Sequence, residues 1–363
     1  MGPFAQTYRT MIDQRPSNLR SWAFFILLWP WSMLFGALVK VRWLLYRLGL
    51  KRSYRAKVPV ISIGNLTVGG TGKTPVVDAV VKKLLAFGLR VAVVSRGYGG
   101  GFQGVVGCVA NGDGGILLTA QQAGDEPYLL ARRNPALKVY VARKRALGVL
   151  AAEHSDAQVV VLDDGFQHLA VRRDLDIVLL DARAPFGNGQ MLPCGPLREP
   201  PTALQRASLV LLTHAAQVRP DIPFAGPVTA CRHRLSDKLR YLDGTCAAWS
   251  ALDGEEVLAF AGIARPEDFF AALRARGLKL AATVAFDDHQ DYHGEQLNKL
   301  LKSWQNIKFL ITTEKDAVKL DAAMLPRPCL VAPLELEFDN GDELDRLLDR
   351  VVGVSSEEFD DSL

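Results

Sequence analysis

One short segment, Thr67-Val68-Gly69-Gly70-Thr71-Gly72-Lys73-Thr74, limits the folds open to this chain more than any other feature. An apolar run at residues 58–64 predicts a buried strand before it, and apolar side chains at helical spacing over residues 74–87 predict a helix after it. A glycine-rich turn between a strand and a helix is typical of a phosphate-binding loop, where backbone N–H groups and the helix N-terminus surround phosphates. We therefore predict that Lys73 reaches the β- and γ-phosphates of a bound nucleotide and that Thr74 binds Mg²⁺.

The rest of the chain alternates between apolar runs and helical stretches. Further strands are predicted at residues 90–95, 138–142, 158–162, 176–181 and 209–213, with the last of these ending the first unit, and a helix at 143–153. After a less regular region, strands at 256–261, 308–312 and 329–332 and a helix at 266–276 predict a second, smaller unit. Continuous apolar strands between helices indicate an α/β fold with mostly parallel sheets, whose first unit is a P-loop NTPase-type core.

A length of 363 residues favours two domains over one. The predicted division has five parts. They are an N-terminal membrane-associated helical segment (1–57), a P-loop kinase domain (58–225), a linker region (226–250), a smaller C-terminal α/β domain (251–354) and an acidic tail (355–363).

The N-terminal segment contains an uncharged apolar stretch, residues 22–39, rich in tryptophan and phenylalanine. Its length is near the lower limit for crossing a bilayer, and Pro30 is expected to kink a helix there. Basic residues follow between positions 40 and 57, as is typical of a segment held on the cytoplasmic side of a membrane. We predict a membrane-associated helix, with a buried core helix or a signal peptide as alternatives; the pattern does not distinguish spanning the bilayer from lying in its interface.

Two acidic pairs are candidates for the chemistry. Asp163 and Asp164 follow an apolar strand and would lie at the carboxyl edge of the sheet, where one of them could hold Mg²⁺; a helix cap or a solvated turn is the alternative. Asp125 and Glu126 precede a predicted helix at 128–133, where an aspartate alone indicates an N-cap.

Two other segments carry candidate groups. His289 stands next to Asp288 and near Asp291, and carboxylates beside an imidazole can orient it for acid–base work. Arg198, in the rigid loop at residues 195–200, could stabilise charge on a transferred phosphoryl group. The basic clusters at 132–133 and 143–145 are interpreted as solvated faces.

Composition excludes some classes of function. A net charge of +4 gives no support to nucleic-acid binding. The five cysteines are far apart and form no C-x-x-C pair, which argues against a zinc site or a disulfide framework and fits a reducing compartment.

Taken in chain order, seven motifs resemble one family, the tetraacyldisaccharide 4′-kinases, which are the lipid A 4′-kinases of Gram-negative bacteria. The motifs are Val-Gly-Gly-Thr-Gly-Lys-Thr-Pro (68–75), Ser-Arg-Gly-Tyr-Gly (95–99), Gly-Asp-Glu-Pro (124–127), Leu-Asp-Asp-Gly-Phe-Gln-His (162–168), Gly-Pro-Leu-Arg-Glu-Pro (195–200), Asp-His (288–289) and Thr-Glu-Lys-Asp-Ala-Val-Lys-Leu (313–320). The likeness runs from about residue 15 to 335. The general phosphate-loop motif begins with glycine, but a threonine such as Thr67 is ordinary within this family.

The resemblance implies an activity and a location. It implies ATP-dependent, Mg²⁺-assisted phosphorylation of the 4′-hydroxyl of a tetraacylated disaccharide 1-phosphate to give lipid IVA. It implies two α/β/α domains joined by a short β linker, at the cytoplasmic face of the inner membrane. The expected partners are ATP, the acylated disaccharide lipid and inner-membrane lipids, with no nucleic acid and no obligate protein partner.

The resemblance also implies roles for individual residues. Asp125 falls on the family's catalytic aspartate, and His289 on its paired histidine. Positions associated with Mg²⁺ are Glu126 and one or both of Asp163 and Asp164. Gln167, Arg198 and Glu199 fall on active-site motifs, and the first two are expected to contact the nucleotide.

Two other functions would share the phosphate loop. A GTPase or a metal-insertion NTPase is one, but guanine-binding proteins usually carry Asn-Lys-x-Asp, and Thr313-Glu314-Lys315-Asp316 has its lysine one place too late. A nucleotide-gated membrane adaptor without enzymatic activity is the other. It would need Lys73 but not Asp125, whereas a kinase needs both.

Overall fold

The computed structural model describes residues 8, 16, 18–215, 220–288, 292, 304, 307–325, 327–339 and 341–353. The α-helices are α1 Leu19–Arg47, α2 Lys73–Ala86, α3 Ala120–Ala123, α4 Asp125–Arg133, α5 Arg145–His154, α6 Pro266–Ala275, α7 Glu314–Ala317 and α8 Asp342–Val352. The strands are β1 Val60–Asn65, β2 Val91–Ser95, β3 Gly107–Asn111, β4 Lys138–Val141, β5 Val159–Asp163, β6 Leu175–Asp181, β7 Leu209–Thr213, β8 Val228–Leu235, β9 Leu239–Tyr241, β10 Cys246–Ala247, β11 Glu256–Ala261, β12 Lys279–Ala285, β13 Phe309–Thr313, β14 Cys329–Ala332 and β15 Leu334–Phe338. Short 3₁₀ helices span Pro201–Arg206, Trp249–Leu252 and Ala322–Met324.

The first sheet has nine strands in the order β15-β8-β7-β6-β1-β5-β2-β4-β3. The strands from β8 to β4 are parallel, and the two edge strands, β15 and β3, are antiparallel to their neighbours. Every residue of β1, β5, β6 and β7 is buried, because helices or loops cover both faces of a parallel sheet. The predicted α/β fold with a mostly parallel sheet is confirmed.

The second sheet has six strands in the order β10-β9-β14-β13-β11-β12. The four strands from β14 to β12 are parallel, and β9 pairs antiparallel with β14. Its largest fully buried side chains are Phe260 and Phe270. This is the smaller α/β unit predicted from the sequence.

The strand pairing differs from the predicted division at two places. Strand β8, in the region expected to be a linker, extends the first sheet beyond β7, which was expected to be its last strand. Strand β15, expected in the C-terminal domain, returns to the first sheet and pairs antiparallel with β8. Helix α8 follows it, and Leu344 and Leu348 enter the first core. Neither strand is continuously apolar: charged Arg232 and Arg234 interrupt β8, and glutamates alternate along β15. The two strands therefore lack the apolar run that predicts a buried strand.

Helix α1 lies on the outside of the first unit. It begins at a capping box between Asn18 and Ser21 and continues through Pro30. Its most apolar 18-residue window has a mean hydropathy of 1.8, which, with the length of the helix, is sufficient to cross a membrane, and only 6% of that window is buried. A helix in the protein's own core would be mostly buried, so that alternative is contradicted for α1.

Candidate active site

The phosphate loop lies between β1 and α2, at the point where the neighbours of β1 in the sheet, β5 and β6, come from later in the chain. Ligands of open α/β sheets bind at such switch points. Gly69 (φ +111°) and Gly72 (φ +78°) adopt backbone conformations that favour glycine. A Cβ atom on Gly72 would lie 2.9 Å from His233 Nε2, so a larger residue there would displace the His233 ring.

The side chains of the loop point to an anionic ligand. Lys73 Nζ donates to Asn65 Oδ1 (3.3 Å) and lies 3.7 Å from Asp164 Oδ1, with 16% of its side chain exposed. The hydroxyl of Thr71 is buried and has no hydrogen-bond partner among the described residues. A cation and an unpartnered donor thus lie in a turn that also presents backbone N–H groups.

Arg198 and Gln167 meet the phosphate loop at its base. Arg198 Nε donates to the Thr67 carbonyl oxygen (3.3 Å), and the backbone of its segment pairs with the loop, since the Val68 N–H donates to the Pro196 oxygen (2.8 Å). Gln167 Nε2 donates to the Asn65 carbonyl oxygen (2.9 Å), and Arg198 also hydrogen-bonds the Asn65 side chain. The structure therefore brings these two predicted residues together with Lys73.

Asn65 is a residue of this site that sequence reasoning missed. It ends β1, is fully buried, and contacts Lys73, Arg198 and Gln167. The available signal was an amide side chain ending a mostly apolar strand just before the loop.

The two aspartates after β5 differ in environment. Asp163 is buried; Ser95 Oγ donates to its Oδ2 (3.0 Å), and its Oδ1 has no hydrogen-bond partner among the described residues. Burial, together with the charges of Glu126 and Asp164, raises the pKa of Asp163 to about 6.

Asp164 is partly exposed and paired. Arg198 Nη1 donates to its Oδ2 (2.8 Å), and its backbone lies in the left-handed region (φ +53°). Burial acts to raise the pKa of Asp164, but the charges of Lys73 and Arg198 outweigh it and hold the pKa below its ordinary value.

The second acidic pair begins helix α4. Asp125 is buried, and Lys319 Nζ lies 2.8 Å from its Oδ2. Glu126 lies 3.7 Å from Lys315 Nζ and close enough to Asp163 for its charge to affect the pKa of that carboxyl. The two acidic pairs therefore share one site, although they come from different segments of the chain.

Lys315 and Lys319 are the other residues whose place in the site was not predicted. They belong to helix α7 and the turn after it, in the second unit. In the same helix Glu314 pairs with Arg133, the last residue of α4, which also donates to Asp78 Oδ2 (2.7 Å). The motif at residues 313–320 was the sequence signal for these lysines. Its charged side chains pair with residues of α4 and so hold the second unit against that helix.

His289 lies outside the described residues. Its neighbour Asp288 is described, and Lys315 Nζ donates to Asp288 Oδ1 (3.1 Å). Since Lys315 also lies next to Glu126, this contact brings the start of the segment to the edge of the acidic site.

The second unit also covers the phosphate loop from the side of β6 and β7. A Cβ atom on Gly70 would lie 2.7 Å from Ala264 Cβ, in the loop after β11. Asp181 pairs with Arg265 (3.2 Å), and Arg183 pairs with Asp268 (2.9 Å). Charged contacts between the two units thus flank the phosphate loop as well as α4.

The donor set fits Mg²⁺. Asp163 offers a buried oxygen that has no hydrogen-bond partner in the described part of the chain, near a second carboxylate, Glu126, and Thr74 lies in the first turn of α2. Among the described residues no group of three or more His, Cys, Asp or Glu side chains could hold a metal by itself. That is the usual situation for Mg²⁺, which binds one or two carboxylates together with substrate phosphates.

Comparison with known proteins agrees with this geometry. A family model described as tetraacyldisaccharide-1-P 4′-kinase matches residues 24–353. A tetraacyldisaccharide 4′-kinase of Syntrophotalea carbinolica is 48% identical, covering 97% of this chain and 99% of that protein. One from Geobacter metallireducens is 45% identical, covering 88% and 96%. Among solved structures, that of the "apo" form of LpxK from Aquifex aeolicus in complex with ATP superimposes with a TM-score of 0.77 at 30% identity, covering 91% of this chain and 99% of that one.

Proposed function

The chain belongs to the tetraacyldisaccharide-1-phosphate 4′-kinase family, and from that membership we propose how its site works. It is an ATP-dependent kinase of lipid A biosynthesis that phosphorylates the 4′-hydroxyl of a tetraacyldisaccharide 1-phosphate. The main support for the proposed site is that Lys73 and the two acidic pairs lie together at one edge of the first sheet.

The phosphates of ATP bind the loop at residues 67–74. Lys73 and Arg198 lie beside Asp164 and supply positive charge for the transferred phosphoryl group, with Gln167 and Asn65 holding Arg198 in place. Thr74, Asp163 and Glu126 would hold Mg²⁺, with Asp164 as the alternative carboxylate, and the ion would supply neutralisation of phosphate charge.

Asp125 accepts the proton of the attacking sugar hydroxyl. Burial would keep this carboxyl neutral, but the Lys319 ammonium 2.8 Å away favours the carboxylate that a base requires. His289 is proposed to support Asp125 from the second unit. Most catalysis of phosphoryl transfer comes from positioning and charge, so the docking of α7 on α4, which places Lys319 beside Asp125, contributes to catalysis.

Helix α1 is proposed to lie in the interface at the cytoplasmic face of the inner membrane. It contacts the first unit along its length: the Cys194 thiol donates to the Phe25 carbonyl oxygen (3.5 Å), Ser32 Oγ to Met191 (2.8 Å), and Arg42 to Gln167 (2.9 Å). From residue 25 to residue 42 a helix extends about 26 Å, so a long part of α1 rests on the protein and leaves its other face for lipid.

Two experiments test these proposals. Purified full-length protein is incubated with ATP, Mg²⁺ and radiolabelled acceptor lipid; we expect transfer of phosphate, and large losses of turnover in both Lys73→Ala and Asp125→Ala. Nucleotide hydrolysis without lipid phosphorylation would overturn the assignment, and full function of Asp125→Ala would overturn the role of that residue.

The position of α1 in the membrane is tested with Asn18→Cys. We expect an impermeant thiol reagent to label this cysteine from the cytoplasmic side only. Labelling from the opposite side would indicate a spanning helix.

A further inference from the structure

The second unit contains a buried carboxylate, Asp316, that no step of the proposed reaction uses. Its side chain is in α7 and is 1% exposed. The Tyr292 hydroxyl (2.7 Å) and the Gly262 N–H (3.1 Å) donate to its Oδ1, and the Thr313 hydroxyl donates to its Oδ2 (2.6 Å). Burial of a carboxylate is unfavourable, and hydrogen bonds to both oxygens offset that penalty. Asp316 therefore has a fixed position and three fixed partners.

The three donors come from segments that leave the carboxyl edge of the second sheet. Strand β11 pairs in parallel with both β12 and β13, so the three strands end side by side. Gly262 directly follows β11, Tyr292 comes after β12, and Thr313 ends β13. Asp316 thus joins the exits of three adjacent strands, at the edge where α/β sheets place their functional groups.

Packing holds the Tyr292 hydroxyl against Asp316. The Tyr292 ring is buried and makes edge-on contacts with the rings of Phe260 and Phe286, at centroid distances of 5.8 and 5.2 Å. A Cβ atom on Gly262 would lie 2.8 Å from the Tyr292 hydroxyl and 3.0 Å from Asp316 Oδ1, so a larger residue there would push both side chains away. The pair is therefore held by close contacts as well as by its hydrogen bond.

Helix α7 needs such an anchor because it is a single turn. A helix this short is not stable by itself, and its place depends on contacts with the rest of the protein. Thr313 Oγ1 accepts from the Asp316 N–H (3.2 Å) and caps the turn. The Lys319 N–H donates to the Asp316 carbonyl oxygen (3.0 Å). The anchor at Asp316 therefore fixes the backbone from which the Lys319 side chain extends.

The electrostatics place the same groups close to the proposed proton acceptor. Lys319 Nζ lies 2.8 Å from Asp125 Oδ2. Burial raises the pKa of Asp316, and the charge of Lys319 opposes that rise. Burial, together with the charges of Asp316 and Asp125, raises the pKa of Tyr292. Lys319 thus lies between two carboxylates, one in the proposed site and one in the support behind it.

We propose that Asp316 and Tyr292 are positioning residues for phosphoryl transfer, which act by fixing Lys319 beside Asp125. The inference rests on the proposed function, since it assigns the two residues a part in that reaction. A lysine side chain has many conformations, and a rigid backbone limits how many of them it visits. The buried pair reaches the reaction through Lys319, so its effect depends on the presence of that ammonium.

The test begins with Tyr292→Phe in the full-length protein, assayed with ATP, Mg²⁺ and acceptor lipid. This change removes one hydrogen bond to a carboxylate and keeps the ring, so kcat should fall about fivefold. KM for ATP should stay unchanged, because the bond from Gly262 still holds the loop after β11, whose Ala264 lies on the phosphate loop. Tyr241→Phe, at a partly buried tyrosine of the second unit, is the matched control and should change neither.

Asp316 itself is tested by a conservative and a disruptive variant. Asp316→Asn still accepts from Tyr292 and should retain more activity than Asp316→Ala, which leaves the buried hydroxyl unpaired. Equal kcat in these two variants would contradict the role of the hydrogen bond. Tyr292→Phe keeps the test decisive if Asp316→Ala does not fold.

Combination with Lys319→Met distinguishes positioning from a general loss of stability. If the pair acts through Lys319, adding Tyr292→Phe to Lys319→Met should lower kcat by less than about twofold further, because the group that it positions is already absent. Residues that act independently would instead give the same fivefold loss in both backgrounds. That additive result would overturn the inference.

The outcomes separate this inference from the proposed function. If the unaltered protein hydrolyses ATP but does not phosphorylate the lipid, the proposed function fails. If it phosphorylates the lipid and Tyr292→Phe lowers only the melting temperature, the pair stabilises the fold and nothing more. A rise in KM for ATP as large as the fall in kcat would show that the whole second unit has loosened; either of the last two results overturns the inference.

Discussion

The two acidic pairs of the site receive their cations from different parts of the molecule. Lys73 and Arg198, beside Asp164 at 3.7 and 2.8 Å, belong to loops of the first sheet. Lys319, beside Asp125 at 2.8 Å, and Lys315, beside Glu126 at 3.7 Å, belong to the second unit. The cations proposed to act on the phosphates therefore come from the first sheet, whereas the lysines beside the proposed proton acceptor come from the second unit.

This difference separates two requirements of a kinase. Binding of a nucleotide needs preformed cations, and under the proposed function the first sheet supplies them. Proton transfer is useful only when both substrates are bound, and its proposed base, Asp125, lies at the contact between the two units. The predictions below test this division.

Lys73→Met should have the largest effect on turnover. It removes the cation of the phosphate side, and we expect a loss on the order of 10³–10⁵-fold, as for other cations on a transferred phosphoryl group. The rate of lipid phosphorylation measures it, with Lys82→Met, a mostly exposed position on the same helix, as the control. Activity of Lys73→Met close to that of the control would contradict the division.

Asp125→Asn should reduce turnover by a factor on the order of 10²–10⁴ because the proton acceptor is lost. Binding of ATP should be unchanged, since the proposed phosphate-binding cations belong to the first sheet.

Asp163→Asn, unlike Asp125→Asn, should raise the Mg²⁺ concentration required for activity. Titrations of ATP and of Mg²⁺ with the Asp125→Asn and Asp163→Asn variants measure these requirements. An equal Mg²⁺ requirement in the two variants would argue against different roles for the two aspartates.

Arg133→Met should lower the free energy of unfolding by about 3–5 kcal/mol. Its guanidinium is mostly buried between Asp78 of the first unit and Glu314 of the second. Without it Glu314 loses its salt bridge, and Asp78 keeps only its contacts with Lys82 and Asn134. Chemical denaturation followed by fluorescence measures the change. Glu314→Gln, which keeps a hydrogen-bonding group in place, should have a smaller effect, and equal losses in both would show that packing, not charge, dominates.

Lys319→Met should lower kcat about tenfold and leave KM for ATP unchanged, since it removes the close charge from Asp125 and leaves Lys73 and Arg198 in place. Lys319→Arg should restore part of the rate. Lys308→Met, at an exposed lysine of the second unit, is the matched control. A rise in KM for ATP in Lys319→Met would mean that the second unit also completes the phosphate side.

His233 should contribute the smallest effect, a pH dependence of stability. Burial and the neighbouring His214 lower its pKa to about 4, so between pH 6.5 and 4 the unfolded chain binds a proton that the folded chain does not. This stability is present above pH 6.5 and is lost as the pH falls towards 4, by about 1–2 kcal/mol at pH 5. His233→Gln should flatten the curve of unfolding free energy against pH, and an unchanged curve would contradict the shift.

Local features of the fold were predictable from the sequence. Strands β1, β2, β5, β6 and β7 lie within two residues of their predicted positions, because apolar periodicity and glycines act over a few residues. The strand–loop–helix around Lys73 follows from the same local signals. The roles of Asp125, Glu126, Gln167 and Arg198 stay predictions, although the structure brings these residues to one edge of the sheet.

Contacts between distant segments were not predictable from one sequence. The alternation along β15 indicates an edge strand but not the sheet that it joins. Lys319 meets Asp125 only because the second unit docks on α4, and a lysine near a short helix has no local signature of such a partner. Asn65 likewise acquires its role from three side chains that converge on it from separate loops.

The return of β15 to the first sheet has a consequence for synthesis on the ribosome. Strand β8 emerges with its outer edge bare, and its partner, residues 334–338, is translated only after the whole second unit. Unpaired strand edges recruit other chains, so the nascent protein has an aggregation-prone edge at β8 until residues 334–338 are translated. The sheet that carries the phosphate loop begins first and is finished last, and a chain that stalls before its final strand leaves that edge unpaired.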